Sequence, residues 1–376
     1  MTTCFKSELT IEDIDVIEDV QYGDVYLDIS PTEFLQFGFE YGDSVDVELS
    51  NGLSYEDLPF YDGYYGRLGD VLLCGYKKYN NVALALCQGS MWLKYAFDES
   101  IKCSIGLHEK GKYKRVQELM GREYSWNPDD YDCTFCFANL RQLKGGYIKQ
   151  GTFYRGASPC NNRHGRAKIV DRIISGLGVN YILDLADSQS NVSRYFSKVD
   201  YASPYFLKLC QDNKVAFPDL KNDFTSAKYK EDLGKALKDL IKHEGPFYIH
   251  CIEGKDRTGF VCALLEAFMG ASLEEIEADY MRTYRDYFGV TKESDPETYA
   301  LLYELKFLDI ALCIAGVHSE KQLGNAKLML SARRYLMECG LTFDEWSKLW
   351  YLLSGGIGTV TTSFKQEISH VNRFKK

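Results

Sequence analysis

The sequence predicts an α/β protein. The larger part is expected to be a parallel sheet with helices on both faces and a helical C-terminal extension. A small β-barrel or β-sandwich domain precedes it. Three observations carry this expectation. Residues 8–105 alternate apolar and polar positions between turn signals. From residue 151 onward, short apolar runs alternate with amphipathic helical stretches, the pattern of a parallel sheet with crossover helices. Residues 245–266 read as strand, short loop and helix, with the loop at the helix start. A chain of 376 residues should hold two or three domains. The expected division is a β-rich accessory domain at 1–110, a connector at 111–150, the α/β domain with its C-terminal helices at 151–354, and a tail at 355–376.

In the first part, Val16-Ile17-Glu18-Asp19-Val20, Val25-Tyr26-Leu27-Asp28-Ile29 and Val45-Asp46-Val47-Glu48-Leu49 alternate as half-buried strands do. Tyr22-Gly23-Asp24, Tyr41-Gly42-Asp43 and Ser50-Asn51-Gly52 are turn signals between them. Pro31-Thr32-Glu33-Phe34-Leu35 reads as a short helical turn, and Val71-Leu72-Leu73-Cys74 and residues 82–87 continue the strands. Residues 22–43 resemble the small β-barrel domain of S-adenosylmethionine-hydrolysing proteins of the chlorinase/fluorinase-like family. The resemblance implies a fold and no activity, because no large catalytic partner domain accompanies it. The connector carries a basic run at 110–115, read as a solvated face in preference to a rim of the phosphate site, and a break at Ser125-Trp126-Asn127-Pro128-Asp129-Asp130.

The second part opens on Gly151-Thr152-Phe153-Tyr154-Arg155-Gly156-Ala157-Ser158-Pro159, a short strand and turn. Residues 166–177 form a helix with Ile169, Ile173 and Ile174 on one face and Gly176 and Gly178 near its end. Residues 179–185 are the next buried strand, followed by Ala186-Asp187-Ser188. Residues 214–217 make a further strand, and 226–243 an amphipathic helix with Leu233, Leu237, Leu240 and Ile241 in one stripe. Beyond the central loop the chain is helical. Ser272-Leu273-Glu274-Glu275 is a capping box, Asp295-Pro296 puts proline at a first helical position, and Thr342-Phe343-Asp344-Glu345 caps a last helix that Gly355-Gly356 ends.

The stretch Ile249-His250-Cys251-Ile252-Glu253-Gly254-Lys255-Asp256-Arg257-Thr258-Gly259 organises the chain. A helix start presents unpaired N–H groups and the positive end of the helix dipole, which together suit an anion. Gly254 lets the loop fold back so that successive amides turn inward. Arg257 adds a planar fork for two phosphate oxygens. Cys251 sits at the mouth, where the same field favours thiolate; cysteines in such settings fall from about 8.5 to as low as ~3.5–7.5. His250-Cys251, five residues, then Arg257 resembles the His-Cys-x5-Arg signature of cysteine-dependent protein tyrosine phosphatases. Lys255-Asp256-Arg257-Thr258 resembles the bacterial tyrosine and lipid phosphatase subgroup, and Arg155-Gly156-Ala157-Ser158-Pro159 is similar to that subgroup's first strand. The Asp-Arg pair is also similar to myotubularin-like lipid phosphatases.

The resemblance implies phosphate-ester hydrolysis in three roles. Cys251 attacks phosphorus and carries a thiophosphoryl intermediate. Arg257 and the amides of Ile252, Glu253, Gly254 and Lys255 hold the equatorial oxygens. An acid protonates the leaving oxygen. Asp256, inside the loop, is the first candidate for that acid. Asp219 is the rival, because Phe217-Pro218-Asp219 mimics the Trp-Pro-Asp loop of tyrosine phosphatases about thirty residues before the cysteine. Asp223 and Asp187 are weaker candidates; any of these residues could simply make a loop turn. Thr258 is placed to hydrogen-bond the returning thiolate or to cap the helix. His250 is expected to orient the loop, and Gly259 to support the helix start. Glu253 and Asp256 offset Lys255 and Arg257. A near-neutral loop fits phosphotyrosine or another singly phosphorylated ligand better than a polyphosphorylated inositol, with both substrate classes open.

The net charge of −10 argues against general nucleic-acid binding and against an anionic membrane surface. Twelve cysteines without a regular framework fit a reducing compartment. Cys133-Thr134-Phe135-Cys136 is one C-x-x-C without a second pair, so a zinc ribbon is not expected. No metal and no cofactor are expected, since cysteine-dependent phosphoryl transfer needs none. Met1–Thr10 lacks the features of a leader, and no run reaches transmembrane length. The expected location is the cytoplasm, with secretion requiring a leader ahead of this sequence. The expected partner is a phosphorylated protein or a lipid or inositol phosphate. A phosphate-binding pseudoenzyme would lack Cys251 or Arg257, and both are present. Arsenate reduction would need a resolving cysteine, and Cys262 reads as core.

Overall fold

The computed structural model describes residues 9–19, 23–76, 80–87, 89–197 and 203–356. Val20 and Tyr22 of the first expected strand and turn, and the tail from 357 onward, lie outside them. The chain divides into two compact units: Met1–Tyr124 with Val290–Asp309, and Ser125–Gly289 with Ile310–Lys376.

The first unit is a closed seven-stranded barrel. Its strands are β1 (Thr10–Glu18), β2 (Val25–Leu27), β3 (Ser44–Leu49), β4 (Ser54–Tyr61), β5 (Val71–Cys74), β6 (Val82–Leu86) and β7 (Lys102–Glu109). They close in the order β1-β2-β6-β5-β4-β3-β7. Every pair is antiparallel except β4 with β5. Closure removes the free sheet edges that a sandwich would leave. Val16, Val25, Leu27, Val45, Val47, Phe60, Leu84 and Ile105 fill the interior. Pro31–Gln36 is helical, with Ser30 and Glu33 making a reciprocal capping box. The 290–309 segment is tied on by Arg67 and Asp309 at 2.8 Å, and by Arg122 and Asp295 at 2.6 Å.

Asp24 is buried in this unit, and the Tyr64 hydroxyl donates to it at 2.7 Å. Burial pushes its carboxyl up to about 6, with Asp19 adding repulsion and Tyr64 opposing. The folded form therefore holds its proton more tightly than the unfolded one. That contribution is complete below about pH 4 and is lost as pH rises through about 6. Asp24→Asn should raise the melting temperature near pH 8, by the equivalent of roughly 2–3 kcal/mol, and leave it unchanged near pH 4. Equal shifts at both pH values would remove the charge as the cause.

The second unit holds a five-stranded sheet of β8 (Arg141–Gln142), β9 (Phe153–Gly156), β10 (Tyr181–Asp184), β11 (Val215–Ala216) and β12 (Phe247–His250). The order is β11-β10-β12-β9-β8. All pairs are parallel except β8 with β9. The central strands β10 and β12 are short and buried, and helices alternate with the parallel strands along the chain, as the sequence pattern predicts. The helix Ala227–Leu240 buries Leu233, Leu237 and Leu240. The helix Asp256–Phe268 is buried on all sides from Thr258 to Phe268, which makes it the centre of the unit. Ser272 and Thr342 form the expected capping boxes with Glu275 and Glu345. No helix among the described residues is long and apolar enough to cross a membrane.

The sheet determines what can meet. His250 pairs in register with Asp184 on one side and with Gly156 on the other. The loops leaving the C-terminal ends of β9, β10, β11 and β12 therefore converge, the usual place for a ligand in a parallel sheet.

Candidate active site

Residues 251–255 run from the end of β12 to the helix Asp256–Phe268. Gly254 has φ of +71°, and a Cβ there would lie 2.4 Å from the carbonyl of Gly156. Only glycine can fold the loop back against the end of β9. Three consecutive loop carbonyls are held from outside. Ile252 O accepts from the Ser158 N–H at 3.0 Å. Glu253 O accepts from Asn139 Nδ2 at 3.0 Å and from the Tyr287 hydroxyl at 2.8 Å. Gly254 O accepts from Asn139 Nδ2 at 3.1 Å and from Arg155 Nη2 at 3.0 Å. In a trans peptide the next N–H points opposite to the carbonyl. Anchoring these three carbonyls outward thus turns the amides of residues 253–255 inward, toward one another.

Cys251 is buried at the base of this loop, 4% exposed. Arg257 lies in the first turn of the helix, and its Nη1 donates to Leu220 O at 3.1 Å. That bond brings the loop after β11 to the guanidinium, and Leu220 N–H in turn donates to Leu185 O. Asp219 itself has φ of +46° and an exposed side chain, 3.4 Å from Lys221 Nζ. Asp256 opens the helix, with Lys255 Nζ 3.8 Å away. Lys255 Nζ also lies 3.3 Å from Glu253 Oε2, so the lysine's charge is offset within the loop. The hydroxyl of Thr258 is fully buried and has no hydrogen-bond partner among the described residues. Gly259 serves packing, since a Cβ there would meet the Tyr280 ring at 2.4 Å.

His250 is fully buried beneath the loop, and its Nδ1 lies 3.1 Å from Cys251 O. Burial pushes its pKa down to about 4, which keeps the ring neutral. Burial also pushes Asp184 up to about 7 and Asp187 up to about 6.

Several supports lie outside the motif. Asn139, Arg141, Arg155, Asp279 and Tyr287 brace the loop from its outer side. Asp279 sits between two buried guanidiniums: Arg141 Nε donates to it at 2.7 Å, and Arg155 Nη1 donates to its other oxygen. Burial raises the Asp279 carboxyl, but Arg141 and Arg155 outweigh it and hold the group ionised. One sequence signal could have found this pair. Arg155 stands in a short buried strand, where a charge demands a partner. Asp279→Ala leaves two guanidiniums unpaired and should cost about 3–5 kcal/mol in urea unfolding. A loss below about 1 kcal/mol would mean that other groups hold Arg141 and Arg155.

The model of the tyrosine phosphatase family matches residues 137–342, more than half of the chain. No curated protein matches. Among solved structures, the chain is similar to an uncharacterized conserved protein from Thermotoga maritima. The identity is 16% and the TM-score 0.23, over 27% of this chain and 39% of that one. It is also similar to the core catalytic domain of the PP-IP phosphatase SIW14 from S. cerevisiae, solved in complex with citrate. There the identity is 16% and the TM-score 0.29, over 53% of this chain and 94% of that one. The chain spans well under half the length of the first of these two proteins.

Proposed function

The chain belongs to the tyrosine phosphatase family, and from that premise we propose that it hydrolyses phosphomonoesters through a cysteinyl-phosphate intermediate, with phosphotyrosine in a protein as the substrate. The observation that carries the reading is the outward anchoring of the Ile252, Glu253 and Gly254 carbonyls around a buried Cys251. It leaves amides converging where three phosphoryl oxygens would sit.

In this reading the Cys251 thiolate attacks phosphorus in line with the leaving oxygen. The S–P bond forms as the P–O bond breaks. The amides and Arg257 take the charge on the equatorial oxygens. Asp256 gives its proton to the leaving oxygen, and Asp219 is the second choice. Asp219 belongs to a loop that Leu220 ties to Arg257, but its own carboxylate faces Lys221. Water then attacks the thiophosphoryl group, and the buried Thr258 hydroxyl donates to the departing thiolate. The barrel acts as an accessory domain with no activity of its own.

The acid assignment predicts a leaving-group effect. Asp256→Asn should slow hydrolysis of an alkyl phosphate by ~10²-fold or more and of p-nitrophenyl phosphate by less than ~10-fold. Equal losses on both would remove Asp256 from the role, and the same comparison on Asp219→Asn would then decide for the rival. The substrate is tested by phosphate release from phosphotyrosine peptides, phosphoserine peptides, phosphoinositides and inositol phosphates. Phosphotyrosine peptides should give the highest kcat/KM. A preference for an inositol phosphate would move the assignment to that class, whose further cations would have to come from outside this near-neutral loop.

A further inference from the structure

The turn that leads into β8 carries two cysteines with no part in the proposed hydrolysis. Cys133 caps the short helix Thr134–Phe137, and Cys136 lies within it. Cys133 is exposed and Cys136 is buried. The Cys136 N–H donates to Cys133 Sγ at 3.2 Å, and the Cys136 sulfur sits on the β-carbon of that same residue. Rotation about the Cα–Cβ bonds therefore brings the two sulfurs toward the separation of about 2.0 Å that a disulfide needs. Burial pushes the Cys136 thiol up to about 11, and the neighbouring Cys133 sulfur adds to the rise. One sulfur thus faces solvent and the other lies behind it. Thiol–disulfide exchange uses this asymmetry, since access decides which sulfur reacts first.

The same turn holds a residue that grips the phosphate loop. The Asn139 N–H donates to Cys136 O at 3.0 Å, and the Phe137 N–H to Cys133 O at 3.0 Å. Asn139 is fully buried with φ of +47°, a left-handed conformation that a residue with a Cβ keeps only when its surroundings hold it. Its Nδ2 donates to the carbonyls of Glu253 and Gly254, whose anchoring turns loop amides inward. Its Oδ1 accepts from Arg141 Nη1 at 2.6 Å and from the Thr283 hydroxyl at 3.2 Å. The side chain is thus fixed by the core, whereas the backbone N–H hangs on a turn whose first residue is exposed. An isolated helical turn is marginal by itself and opens locally at little cost.

We propose that Cys133 and Cys136 form a reversible dithiol–disulfide site, and that its oxidised state tightens the phosphate loop through Asn139. The oxidant is a small disulfide of the glutathione class. The Cys133 thiolate attacks one of its sulfurs, and the S–S bond breaks to expel one thiolate. Cys136 Sγ then attacks Cys133 Sγ, gives up its proton, and the second thiolate leaves. The two cysteines lose two electrons and two protons, and the small disulfide takes them up as two thiols. The new bond closes a short ring across the turn and removes its open conformations. Cys136 O is then held in place for Asn139, and Asn139 for the loop. The effect on phosphate affinity rests on the hydrolase reading; the disulfide and its hold on the loop do not.

The test uses the full chain carrying Cys251→Ser, which keeps that sulfur out of the exchange. The protein is equilibrated in glutathione buffers of graded disulfide content, free thiols are alkylated, and the peptide spanning 133–136 is read by mass spectrometry. Residues 133 and 136 should lose their thiols together, and adding Cys136→Ala should stop the reaction at a glutathione adduct on Cys133. Oxidation should slow hydrogen exchange at residues 136–139 and 252–255 by at least ~3-fold. It should also tighten binding of inorganic phosphate by at least ~3-fold in calorimetry. Cys133→Ser with Cys136→Ala, in the same Cys251→Ser chain, should show neither response; serine keeps a capping oxygen at 133, so the turn still forms. Absence of the disulfide at every buffer ratio, unchanged exchange at 252–255, or unchanged affinity in a chain that binds phosphate overturns the proposal. A chain that binds phosphate in neither state would count against the hydrolase reading, and exchange at 252–255 would still decide this proposal.

Discussion

Replacing Cys251 by Ser is expected to lower phosphate release from a phosphotyrosine peptide by at least ~10³-fold, with the melting temperature unchanged within a few degrees. The side chain loses only the ionisable sulfur. An alkoxide is not reached in this setting, so no covalent intermediate forms, while the amides and Arg257 still bind the phosphate. The expected signature is therefore a collapsed kcat with retained affinity for the phosphopeptide, measured by isothermal calorimetry. Rapid quenching of the native protein with a phosphorylated substrate should in turn trap one phosphate per chain on Cys251. Residual turnover within ~10-fold of the native rate would end the assignment of Cys251 as nucleophile.

The second large effect is expected at Arg257. Arg257→Lys keeps the charge and loses the planar fork. It also removes the bond to Leu220 O that holds the loop after β11. Loss of one such donor at a developing charge costs ~10²–10³-fold in kcat. Loosening of a neighbouring loop should add a rise in KM, so both parameters should move together. If KM alone rose, Arg257 would be binding substrate and transition state equally well, and its part in the chemistry would fall.

The loop at 251–257 was legible in the sequence because its parts are neighbours in the chain. Cysteine, glycine and arginine act within seven consecutive positions, and the strand before and helix after follow from local apolar runs. The caps at Ser272, Asp295 and Thr342 were legible for the same reason, since a cap is closed within four residues. Strands β4 and β7 were not. Pro59 interrupts one and Gly106 the other, and both are strands because partners on each side pair with them. The helices Gln189–Phe196 and Pro204–Gln211 were also passed over. Both are short, the first is polar, and their apolar faces, with Val192, Phe206 and Leu209, count only once a sheet lies beneath them.

The candidate site divides in the same way. The residues that would meet phosphate stand in one local run, so order along the chain was enough to assemble them. The residues that brace that run come from far away: Asn139 and Arg155 are separated from Gly254 by 115 and 99 positions. Asp184 and His250, 3.8 Å apart, likewise meet only because the ends of two strands pair in register. Local order along the chain determined the chemistry this protein could attempt, because backbone turns and helix starts are set by adjacent residues. Only the parallel pairing of β9, β10 and β12 decided which distant side chains would hold that loop in shape, because strand register is fixed by packing across the whole sheet.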